Sequence, residues 1–96
     1  MAQVSWSLQS AESLARISAY ISEQNPVAGW KTAQGIYDRI LQLSRFPAMG
    51  YRRKVTDKGE IREILYGHYR IAYLLYDADQ VKILDIHHGS MAQEED

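Results

Sequence analysis

The chain has 96 residues, 46% hydrophobic and 24% charged, with no cysteine and a formal net charge of −1 at pH 7. That length supplies one ordinary core and excludes a second, so residues 1–96 are expected to form a single domain with a short acidic polar tail at about 90–96. The absence of cysteine excludes disulfide frameworks and thiolate metal sites. No apolar run approaches the roughly 18 residues needed to cross a bilayer and no signal pattern opens the chain, so a cytoplasmic protein without membrane contact is expected.

Val4 to Trp6 is short, apolar and β-prone, and Ser7 offers a hydroxyl to cap a helix. Ala11, Leu14, Ile17 (or Ser18) and Ile21 then recur at helical spacing, predicting a first helix from about 8 to 23. Asn25-Pro26 stops it and starts the next, because proline at the first helical turn loses only an N–H that has no partner there. Val27, Trp30, Ala33, Ile36 or Tyr37, Ile40 and Leu43 carry the same period to about Phe46, where Pro47 ends it. Two amphipathic helices joined this closely form an antiparallel hairpin whose apolar stripes face a common layer.

That layer is expected to be a sheet. Tyr51 to Lys58 reads as a loop or irregular edge, followed by strand signals over Ile61 to Tyr66 and Tyr69 to Tyr76. Gly67-His68 between them suits a type II′ turn, with glycine at the first central position. Asp77-Ala78-Asp79-Gln80 is a second turn, and Val81 to His87 or His88 the last strand. The predicted architecture is α+β, in the order β-α-α-β-β-β, an antiparallel sheet packed against a two-helix hairpin.

Charge is unevenly placed. From Arg45 to Arg70 seven basic residues meet three acids, a net +4; beyond Arg70 six acids meet one lysine, a net −5. A general nucleic-acid binder carries a larger basic excess, because phosphate neutralisation dominates its affinity. Arg52, Arg53 and Lys54 beside Tyr51, with Arg62 and Arg70 on neighbouring strands, can bind phosphates or pair with Glu60 and Glu63. Arg70 lies within an apolar strand, where a charge requires a partner or a site. His87 and His88 are adjacent on a strand and point to opposite faces, so they cannot share a metal, and at most one belongs to any site. Tyr66, Tyr69, Tyr73 and Tyr76 can stack on bases or fill a core with a wet hydroxyl. Trp6 and Trp30 are core or partner-facing anchors. No metal-spaced cluster, phosphate-cradling glycine loop or nucleophile elbow is present, so no metal and no cofactor are expected.

The opening VSWSLQSAESLARISAYISEQNP, the segment EIREILYGHYRIAYLLYD and the ending VKILDIHHG together resemble the ParE branch of the RelE/ParE superfamily of bacterial type II toxins, over about Val4 to Gly89. The resemblance implies a growth-inhibiting toxin silenced by an antitoxin whose acidic C-terminal segment wraps it. ParE-like members poison DNA gyrase, whereas RelE-like members cleave mRNA on the ribosome. A RelE-like nuclease would here draw on Arg53, Lys54, Arg62 and His88. Yet Tyr66 stands where such nucleases carry arginine, and no tyrosine, lysine or arginine follows Lys82. The expected reading is therefore a gyrase-directed binding protein rather than an enzyme, with the mRNA endonuclease and an inactive antitoxin-binding scaffold as alternatives. Antitoxin or target is expected at Trp30, Arg52, Arg53, Lys54, Arg62, Tyr66, Arg70 and His88, in a homodimer or a hetero-oligomer with the antitoxin. ParE-like chains commonly continue after His-Gly with arginine; this one has Ser90-Met91.

Overall fold

The computed structural model describes residues 1–89, so the acidic tail and the departure at Ser90-Met91 lie outside the described residues. β1 (Gln3–Trp6) leads into α1 (Leu8–Ser22) and α2 (Pro26–Leu41), a short 3-10 turn (Gln42–Ser44), and β2 (Tyr51–Val55), β3 (Glu60–Tyr66), β4 (Tyr69–Tyr76) and β5 (Gln80–His88). The α+β class and the helical hairpin match expectation. The sheet, in order β1-β5-β4-β3-β2, has one strand more than predicted and is mixed, since β1 runs parallel to β5. β2 is the irregular edge made regular: it pairs with β3 through a register shift between Arg52 and Lys54 that leaves Arg53 as an extra, bulged residue.

Capping follows the sequence closely. The Ser7 hydroxyl accepts from the Ser10 N–H and the Asn25 side chain from the Ala28 N–H, with Pro26 opening α2. Gly67 alone is left-handed in the Gly67-His68 turn, at φ 57°, as type II′ geometry requires.

Strand alternation sends Ile64 of β3, Ile71 and Tyr73 of β4, and Val81, Ile83 and Ile86 of β5 to one face, where they meet Ile36, Ile40 and Leu43. The helical stripes are rotated from their expected positions. On α1 the buried residues are Ser10 and Ser13, with Leu14 and Ile17 packed at the margin and Ala11 exposed. Serine is small enough to bring α1 close to β5, and its hydroxyl is satisfied there, Ser13 Oγ donating to Asp85 Oδ1 at 3.1 Å. On α2 the apolar residues wrap beyond a single face, so Val27 and Trp30 stay exposed. The helix ends at Leu41 rather than near Phe46, tightening into the 3-10 turn.

Tyr66 lies across α2 at Gly35, where any Cβ would collide with the phenol. Gly35→Ala is therefore expected to lower stability by about 1–3 kcal/mol in urea unfolding, despite a helix-propensity gain of about 1 kcal/mol. In a Tyr66→Ala background the same change should turn neutral or stabilising. In the β4–β5 turn Asp77 and Ala78 are both left-handed, at φ 52° and 65°. Ala78→Gly should raise the urea midpoint by an amount worth about 1 kcal/mol, because glycine adopts that conformation without a Cβ penalty.

Candidate functional site: two faces of opposite chemistry

Alternation opposite the core places Ile61, Glu63 and Leu65 of β3, and Arg70 and Ala72 of β4, on the second face of the sheet, which neither helix covers. Glu63 is its centre. Although on the uncovered face, Glu63 is buried, because Tyr51, Arg53 and Arg70 close around it. The Tyr51 hydroxyl donates to Glu63 Oε1, and Arg53 Nη1 and Arg70 Nη1 approach the same oxygen at 3.2 and 3.6 Å. Arg53, two residues from Tyr51 along β2, reaches it from the same side, and its guanidinium also lies 5.8 Å from the Tyr51 ring centroid. The hydrogen bond to Glu63 pushes the Tyr51 phenol above its ordinary value, with burial and the Glu63 charge adding to it.

Arg62 belongs to the other face. Its Nε donates to Glu60 Oε1 at 2.8 Å, and its Nη1 to the carbonyls of Ala48 and Gly50, so it pins the loop that delivers the chain to β2. Tyr73 holds the same loop, donating to the Pro47 carbonyl at 2.7 Å and accepting from the Gly50 N–H at 3.0 Å. Arg52 sits beside Glu60 at 3.4 Å. The hydrogen bond from Arg62 is the largest influence holding the Glu60 carboxyl below its ordinary value.

The far end of β5 has different neighbours. His88 stacks on His68 at 5.8 Å and meets the edge of Tyr69 at 5.2 Å, while Gly89 N–H donates to the His68 carbonyl. A Cβ at Gly89 would lie 3.0 Å from that carbonyl oxygen, a tight contact. His87 lies 3.5 Å from Asp85. Among the described residues no group of three or more His, Cys, Asp or Glu is placed to hold a metal ion.

The sequence-predicted residues thus divide. Arg53 and Arg70 converge on Glu63. Arg62 and Tyr66 lie on the helix side, Arg62 among loop carbonyls and Tyr66 against α2. Lys54 pairs with Ile61 on the uncovered side. His88 is separated from the Arg62 ladder position (Arg62↔Tyr73↔Ile83) by five residues of β5, roughly 16 Å of strand. Trp30 is 64% exposed and, with Val27, Tyr37 and Leu41, forms an apolar stripe along the outer side of α2. Trp6 is half-buried and stacks on Tyr37 at 6.2 Å. Tyr51 and Glu63 as the hub of the uncovered face are not evident from composition, though the alternation of Glu63 with buried Ile64 signals its side.

A family model described as the ParE toxin of the type II toxin-antitoxin system, parDE, matches residues 4–93. The chain belongs to the ParE toxin family. A solved structure of the chromosomal ParDE TA system from P. aeruginosa has the same fold, with a TM-score of 0.74 at 19% identity, covering 92% of this chain and 96% of that one. No curated protein matches. Within this ParE-family fold the loop bearing Ala48 and Gly50 is the joint between helical and sheet halves, and Tyr73 locks it.

Burial raises the Tyr73 phenol, and the Glu63 bond that of Tyr51, both from 10.0. Each keeps its proton more tightly folded than unfolded, so stability is intact below about pH 10 and falls as pH rises through the folded values. Tyr73→Phe should lessen that alkaline loss in pH-dependent urea titrations. At neutral pH it should cost about 1–3 kcal/mol, since the Gly50 N–H loses its acceptor.

Proposed function

We propose that this ParE-family protein is a growth-inhibiting toxin that poisons DNA gyrase by protein contact in the bacterial cytoplasm, and that a cognate antitoxin silences it. Support for contact over catalysis comes from the scattering of Arg53, Lys54, Arg62 and His88: the first two lie on the uncovered face and the third on the helix side, its side chain 16% exposed and committed to Glu60, Ala48 and Gly50. General acid–base cleavage of RNA needs such groups within hydrogen-bonding reach of one phosphodiester.

The exposed stripe of Val27, Trp30, Tyr37 and Leu41 is the observation that carries the antitoxin reading. An amphipathic segment folding on binding would lay apolar side chains along it, and its acids would meet the cationic strand Arg52 to Lys54. Aromatic anchors such as Trp30 dominate the energetics of such contacts.

Purified protein is expected to inhibit supercoiling by gyrase and to leave mRNA on ribosomes intact. Cleavage of ribosome-bound mRNA with no effect on gyrase would overturn the reading, and normal growth on expression would mark an inactive scaffold. Trp30→Ala should weaken capture of the polypeptide encoded beside the toxin by about 2 kcal/mol, roughly 30-fold, without changing the melting temperature.

A further inference from the structure

Glu63 is the one charged side chain buried among the described residues, and a phenol and two guanidiniums meet its Oε1. A lone carboxylate on a sheet face could remain in water at no cost; this one, 5% exposed, has two guanidiniums drawn over it that are themselves 50% (Arg53) and 37% (Arg70) exposed. Both approach Oε1 through Nη1, and Arg53 also interacts with Tyr51. Among the described residues the Arg70 side chain has the 3.6 Å ion pair and no side-chain hydrogen bond. Two cations on one anion leave the cluster with a net positive charge, and Lys54 adds to it.

We propose that Arg53 and Arg70 form a carboxylate-binding fork on the uncovered sheet face, and that Glu63 is the positioning residue that holds the fork in shape. The ligand is an acidic side chain of a protein partner, flanked by apolar residues that rest on exposed Leu65 and half-buried Ile61. Planar guanidiniums suit carboxylates through paired N–H donors. Nucleic acid fits less well: the uncovered face has four cations, Arg53, Lys54, Arg70 and Lys82, with the anion Glu63 set between two of them, whereas affinity for a phosphate chain rises with each phosphate neutralised. Aliphatic side chains interleaved with the arginines also favour a polypeptide. The fork rests on the reading that the antitoxin's acids meet the cationic strand, and adds Arg70 and Glu63 to it.

The sign of one substitution separates a positioned fork from simple positive charge. Glu63→Gln removes a negative charge, so charge attraction alone would tighten binding of an acidic ligand, whereas loss of positioning weakens it. Tetraglutamate is the probe, titrated into the full chain while the arginine Nε–H resonances are followed by NMR. Saturable shifts at Arg53 and Arg70, and an affinity at least 5-fold weaker in Glu63→Gln with its amide spectrum otherwise preserved, are expected. Equal or tighter binding by Glu63→Gln would overturn the fork while leaving the cationic-strand reading in place. No saturable shift at any arginine would overturn both. Tighter binding of a single-stranded thymidylate oligonucleotide of equal charge would overturn the carboxylate assignment. Should Glu63→Gln fail to fold, Arg53→Gln and Arg70→Gln decide: in a fork the double variant loses less than the product of the single losses, and independent charges give the full product.

Discussion

One-sided packing of the sheet is the constraint on which the rest of this molecule depends. The buried apolar residues of the central strands β3, β4 and β5 point to the side carrying Ile36, Ile40 and Leu43. A sheet of this size with one apolar face must bury that face and leave the other in water. β4 lies between β5 and β3, and its Ile71 and Tyr73 are fully enclosed, so displacing it would expose the centre of the core.

Tyr73 shows how packing and polarity are joined at the centre. Its ring fills the core while its hydroxyl bridges the Pro47 carbonyl and the Gly50 N–H, groups that a tight loop leaves without strand partners. Arg62 holds the same loop from the adjacent strand. Together they fix where β2 begins, and so where its bulge places Arg53. The geometry of the exposed arginines is thereby set by groups on the buried side.

The two outer surfaces carry separate chemistries. Outward on α2 runs an apolar stripe with aromatic anchors; on the uncovered sheet face lies a cationic pair around a buried carboxylate. Membership of the ParE family places the chain among the toxins of type II toxin-antitoxin systems, which implies an antitoxin partner. Buried ion pairs add little to stability when desolvation is counted, and are more readily understood as devices that fix side-chain direction.

Local signals in the sequence determined the caps at Ser7 and Asn25-Pro26, the type II′ turn at Gly67 and the strands β3, β4 and β5, because each depends on neighbours within a few residues. The resemblance carried by the same segments led to the toxin family. Tertiary structure alone decided the strand status of β2, the parallel pairing of β1, the burial of Ser10 and Ser13, and the division of the arginines between Glu60 and Glu63. The reason is physical: a register shift of one residue reverses the face a side chain takes, and whether an arginine pins a loop or meets a partner depends on which carboxylate the folded sheet sets beside it.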